Sequence, residues 1–149
     1  MCLPSPMASL IQKTSGALPF SCGEAFDIAA DIESYPSFLP GWISAHIERR
    51  ESNVCWVDQV VGLGPVRLQF SSQAVLHRPE RIEVTSTQGP FRQFNLTWLF
   101  EALPSGACRV SVAAQIETQS RLIQHLVDRV LPTALEDLVT AFEARLHRA

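Results

Sequence analysis

The stretch that most constrains this chain is its C-terminal segment, Ser120–Ala149. Apolar residues fall there at Leu122, Ile123, Leu126, Val127, Val130, Leu131, Leu135, Leu138, Val139, Phe142 and Leu146. Steps of three and four put these on one broad stripe of a long helix. Ser120 is placed to cap it, since its hydroxyl can accept from an unpaired N–H of the first turn. Arg145, His147 and Arg148 suit the negative pole at the other end. Pro132 removes one donor inside the pattern, and because the stripe resumes beyond it, a kink is expected rather than an end. A stripe this wide needs cover, and most of the remaining chain reads as strands. The expectation is one long helix held by a curved sheet.

A length of 149 residues suits a single domain with a sizeable core. We expect residues 1–8 to be a flexible N-terminus and 9–149 to be the domain, with Met7 as an alternative start. The formal net charge of −3 supplies no general attraction to nucleic acid or to an anionic membrane. The cysteines (Cys2, Cys22, Cys55, Cys108) form no CxxC pair, and Cys55 and Cys108 sit in apolar strand patterns, which reads as buried free thiols. Pro4 and Pro6 interrupt the N-terminus before any apolar run develops, so neither a signal peptide nor a membrane span is expected. A reduced, cytoplasmic protein follows.

Taken in order, Ser9–Leu18 is weakly strand-like. Ser21 can cap a short helix over Gly23–Ile32, with Glu24 in its first turn. A second helical turn is expected at 36–39, where Pro36, Pro40 and Gly41 prevent anything longer. Six strands follow: Ile43–Glu51, Val54–Gly62, Val66–Leu76, Arg81–Gln88, Phe91–Ala102 and Cys108–Glu117. The breaks between them carry turn residues, such as Gly62-Leu63-Gly64-Pro65 and Gly89-Pro90. Alternation sets one face inward: Val66, Leu68, Phe70, Ala74 and Leu76; Phe94, Leu96, Trp98 and Phe100; Val110, Val112, Ala114 and Ile116. The fold class is therefore α+β in the helix-grip arrangement: a curved antiparallel sheet of six or seven strands around a long C-terminal helix, with two short helices after the first strand. Such a sheet can enclose a hydrophobic cavity.

Groups for catalysis are sparse. His46, His77, His125 and His147 are dispersed without HxxxH or HExxH spacing, so no metal site and no catalytic residue is named. Gln59 either lies inward, where it can bond a ligand carbonyl, or faces solvent or pairs within the core. Asp58 and Glu83 read as solvated partners of Arg67 or Arg81 unless buried beside a substrate. Phe91 stands at a Gly-Pro turn where no core residue is required, which suggests a cavity lip.

Asp31-Ile32-Glu33-Ser34-Tyr35-Pro36-Ser37-Phe38-Leu39-Pro40 resembles the D-V-E-x-Y-P-x-F-L-P stretch of the START-like coenzyme Q-binding proteins and their bacterial relatives, the ribosome-association toxin A group, which are also labelled polyketide cyclase-like. Gly89-Pro90-Phe91-Arg92, followed by Trp98 and Phe100, is similar to that family's G-P-F-R…W-x-F hairpin. Those relatives read Pro-Trp-Cys after the leucine, where this chain has Pro40-Gly41-Trp42-Ile43. The resemblance implies a helix-grip fold with a cavity for a hydrophobic ligand. The leading expectation is a non-enzymatic carrier of a ubiquinone-like isoprenoid quinone or lipid that supports respiration, with no cofactor beyond that ligand. Its contacts would be Phe38, Leu39, Trp42, Val57, Gln59, Phe70, Phe91, Phe94, Trp98, Leu126, Val130 and Leu131. Phe38, Leu39 and Trp42 would face Phe91 across a gate against the kinked helix. Transient contact with the inner membrane would accompany carriage. A ribosome-binding toxin is the alternative, needing a basic face from Arg49, Arg50, Arg78, Arg81 and Arg92; a cyclase is the third. No DNA partner is expected.

Overall fold

In a computed structural model that describes residues 10–148, the chain runs β1 (Ile11–Thr14), α1 (Cys22–Ala30), a 3-10 turn (Ile32–Ser34), α2 (Tyr35–Phe38), β2 (Trp42–Glu51), β3 (Val54–Leu63), β4 (Val66–His77), β5 (Arg81–Ser86), β6 (Phe91–Ala102), β7 (Cys108–Thr118) and α3 (Arg121–Arg148). The expected N-terminal tail, Met7 and Cys2 lie outside the described residues. The strands form one antiparallel sheet in the order β1-β7-β6-β5-β4-β3-β2, and α3 packs on β7 and β1. This is the expected helix-grip architecture.

Local chemistry explains the short elements. Ser21 and Glu24 form a reciprocal capping box at the start of α1, with Glu24 N donating to Ser21 Oγ at 3.1 Å and Ser21 N to Glu24 Oε1 at 3.2 Å. The helix ends at Ala30, short of the expected Ile32, because Asp31 leaves helical geometry (ψ 68°) and the chain tightens into the 3-10 turn. Only Ile11–Thr14 of the first segment pairs as a strand; Leu18 rejoins the sheet through a bridge to Cys108. Ser120 caps α3, with Ile123 N donating to its Oγ at 3.3 Å.

Alternation is obeyed across the sheet. Leu68, Phe70, Ala74, Phe94, Leu96, Trp98, Phe100, Val110, Val112, Ala114 and Ile116 are all buried. Helix α3 covers them with Val127, Leu131, Leu135, Leu138, Val139, Phe142 and Leu146. The helix runs without a break through Pro132. Leu131 and Leu135, on either side of it, sit in the same core. Cys55 and Cys108 are buried free thiols and Cys22 is half-buried.

Candidate apolar recess and its polar neighbour

Between α3 and the sheet lies a cavity of about 90 Å³. Its helix side is Leu131, Ala134, Leu135 and Leu138, its floor Phe94, Leu96, Ala114 and Ile116, and its rim Pro40–Trp42 with Val61–Leu63. Two glycines shape that rim. Gly41 has φ +93°, a region that disfavours side chains, and its carbonyl accepts from Gly62 N at 2.7 Å. The residue between Trp42 and Ser44 is then extra: Trp42 pairs with Val61 and Ser44 with Val60, leaving Ile43 as a bulge. Pro40-Gly41-Trp42-Ile43 thus accommodates its departure from the relatives' pattern by a left-handed glycine and a bulge.

A second gap, about 10 Å³, lies behind Trp42 and is bounded by Ile32, Tyr35, Val57, Gln59, Ser72 and Val84 among others. Trp42, Phe94 and Leu96 border both spaces. Gln59 is 5% exposed and its amide is engaged: Trp42 Nε1 donates to Oε1 at 2.9 Å, and Nε2 donates to Ser72 Oγ at 2.6 Å. Gln59 thus lies inward, not toward solvent, and its amide is paired within the core.

The remaining expected contacts divide clearly. Trp42, Val57, Gln59, Phe94 and Leu131 border one or both spaces. Leu126 lies over Gly64 at the β3–β4 turn and is half-buried, as is Val130. Leu39 is buried, and half-buried Phe38 has the Arg145 guanidinium 5.6 Å from its ring centroid. Trp98 is fully buried, stacked with Phe100 and edge-on to Phe142. Phe91 corrects an expectation. It is 1% exposed and packs edge-on to Phe70 at 4.7 Å and against Phe94 at 5.1 Å. It therefore belongs to an aromatic core and does not stand at a lip opposite Phe38 and Leu39. The reason is Gly89: at φ +68° it passes so close to β4 that a Cβ there would lie 2.8 Å from Gln69 O, which folds the hairpin tip over Phe70 and draws Phe91 inward.

Several lining residues were not singled out as contacts, although the strand parity already named Leu96, Ala114 and Ile116 as inward. Ser72 carried the same signal, lying between inward Phe70 and Ala74 and being 5% exposed.

Titratable groups lie away from the recess. The Tyr35 hydroxyl donates to Ala29 O, and burial, with the Asp31 carboxylate second, pushes the phenol far above its ordinary value. Burial and then a hydrogen bond with Cys22 push the Cys108 thiol up to about 12. On the outer face, the Ser71 hydroxyl and then Glu48 hold Asp58 below the usual carboxylate range, and the bond with Asp58 raises Glu48. Asp58 thus partners Ser71 and Glu48 in place of an arginine, whereas Glu83 does pair with Arg81 at 3.1 Å. No group of three or more His, Cys, Asp or Glu is placed to hold a metal among the described residues. No helix among them is long and apolar enough to cross a membrane.

The comparisons agree with this geometry. The chain is similar to the ribosome association toxin RatA of Pseudomonas aeruginosa, at 26% identity over 136 residues, covering 91% of this chain and 94% of the relative. It is also similar to the mitochondrial coenzyme Q-binding protein COQ10 homolog B of Xenopus laevis, at 25% identity over 138 residues, covering 90% of this chain and 57% of that protein. The Zhui aromatase/cyclase from Streptomyces sp. R1128 superposes with a TM-score of 0.83 at 12% identity, over 94% of each chain, which shows a shared fold. Residues 18–143 match the family described as polyketide cyclase / dehydrase and lipid transport, and the chain belongs to that family.

Proposed function

We propose that this protein is a non-enzymatic carrier that takes the apolar chain of a lipophilic molecule, an isoprenoid quinone or lipid, between α3 and the sheet. The observation that carries this reading is the recess itself, whose lining from Pro40 to Leu138 is apolar throughout. Each CH₂ moved there from water contributes about 0.8 kcal/mol, so binding needs no reactive group. The buried polar side chains that border the adjoining gap, Gln59 and Ser72, are an amide and a hydroxyl, which can orient a head group but are poorly suited to general acid–base work near neutral pH. At about 90 Å³ the recess is below the ~300 Å³ at which ligand pockets begin; loading requires its wall to move. The name of the Xenopus laevis relative, coenzyme Q-binding, supports the quinone class.

Organic extraction of the purified protein followed by mass spectrometry tests the proposal, with a quinone or lipid expected at near-stoichiometric yield. Repeated absence of both, together with no uptake of added quinone, would overturn it.

The name of the Pseudomonas aeruginosa relative favours a second reading, ribosome association. Its weakness is electrostatic. Of the five arginines that would form a basic face, Arg49 pairs with Glu51, Arg78 with Asp27, Arg81 with Glu83 and Arg92 with Glu117. Sucrose gradients on overexpression separate the readings: accumulation of free ribosomal subunits supports association, and an unchanged profile rejects it.

A further inference from the structure

The buried hydrogen-bond network behind the recess holds more donors than it uses. Ser72 Oγ accepts from Gln59 Nε2 at 2.6 Å, but among the described residues nothing accepts the Ser72 hydroxyl proton. Ser72 is 5% exposed, and a buried donor without a partner is destabilising until something supplies an acceptor. The gap it borders, about 10 Å³, is at or below the space needed for a single water.

Trp42 separates this donor from the recess. Its indole borders both spaces, and the Nε1–Gln59 Oε1 bond of 2.9 Å latches it in place. The backbone beneath is the easiest part of the wall to displace. Trp42 begins a strand at the edge of the sheet, follows a left-handed glycine, and adjoins the Ile43 bulge; strand ends of this kind open locally at low cost.

We propose that the gap and the recess are two ends of a single site with Trp42 as its movable partition, and that Ser72 and Gln59 receive a carbonyl head group while the ligand's apolar chain lies against α3. This rests on the carrier reading and adds the head-group chemistry to it. When the indole leaves, the Gln59 amide can turn over, giving Oε1 to the Ser72 hydroxyl and Nε2 to the ligand. In the turned-over orientation the Gln59 carbonyl is matched by Ser72 and its amide N–H groups face the ligand, so the pair favours a head that accepts hydrogen bonds. Displacing Trp42 also adds the volume of its own side chain to the space available, which the closed recess lacks.

The test compares two probes by titration calorimetry: a ubiquinone with a decyl side chain, and n-decylbenzene, which keeps a ring and the chain but has no carbonyl. The readout is the ratio of their affinities. Exchanging both polar partners for apolar ones in Gln59→Leu/Ser72→Ala is expected to lower the quinone-to-alkylbenzene ratio about tenfold, the effect of one net hydrogen bond, with decylbenzene binding retained. Trp42→Phe keeps an aromatic wall without the latch, and in stopped-flow mixing is expected to bind both probes several-fold faster than the unaltered protein. An unchanged ratio in the double variant, or slower binding by Trp42→Phe, overturns the subsite and leaves the carrier reading standing. If neither probe binds the unaltered protein, the carrier reading fails and the subsite with it.

Discussion

Truncating Phe91 separates a core residue from a rim residue. The ring is 1% exposed and meets Phe70 edge-on at 4.7 Å and Phe94 at 5.1 Å. Removing it in Phe91→Ala forfeits the transfer free energy of the benzyl group and leaves a hole between two rings that cannot both collapse into it. For buried Phe→Ala this totals ~3–5 kcal/mol. In a domain of this size the midpoint of thermal unfolding should fall on the order of 10 °C. Urea denaturation gives the free energy directly, and an unchanged m value would confirm that native stability has moved and not the unfolded ensemble. A cycle with Phe70→Ala adds a sharper check. The edge-on pair contributes ~0.5–1.5 kcal/mol beyond its burial, so the double variant should lose less than the two single losses added together. A cost below ~1 kcal/mol for Phe91→Ala, with additive behaviour, would refute the core assignment and return Phe91 to the surface.

Gly89→Ala should cost ~1–3 kcal/mol by the same denaturation, because φ +68° is strained for alanine and its Cβ would meet Gln69 O at 2.8 Å. Asp27 is held below the ordinary carboxylate range, chiefly by the hydrogen bond from Arg78, with burial opposing. Its contribution to stability is therefore present above the unfolded value and lost as pH falls through the folded one; Asp27→Asn should lose that small contribution at pH 7, and the difference from the unaltered protein should vanish as pH falls below about 4. With the thiol pushed up to about 12, Cys108 should resist iodoacetamide at pH 8 in the folded protein and react once it is unfolded, as peptide mass mapping would report; labelling of the native protein at Cys108 would contradict its burial.

The fold was legible because its signals are local and periodic. The α3 stripe and the parity of β4, β6 and β7 each follow from a repeat visible within a dozen residues. Turns were legible wherever glycine or proline sits. The site was harder to read because it depends on distances between segments. Phe91 looked exposed beside Gly89-Pro90, and only the close approach of Gly89 to β4 turns it inward. Ser72 was passed over because its polarity disagreed with the parity of Phe70 and Ala74, although that disagreement marked a polar group facing the interior. Gln59 was recognised as ambiguous, and its partners, Trp42 and Ser72, are 17 and 13 residues away in sequence. Nothing in the periodicity of one strand names a partner on another.

Among the described residues the sheet does not close, and its two edges are protected differently. β1 has four residues and lies against α3. β2 is ten residues long and is the edge on which another chain could add a strand. Its ladder with β3 shifts register twice, between Trp42 and Ser44 and between Ile47 and Arg49, and its end carries Glu48, Arg49, Arg50 and Glu51. Bulges twist an edge out of the plane that a neighbouring strand would need, and a mixed row of charges must be desolvated before it can pair. Without those irregularities, Trp42–Glu51 would be a long, flat template for edge-to-edge aggregation. The bulge at Ile43 therefore disfavours addition of a strand at this edge, independently of any ligand.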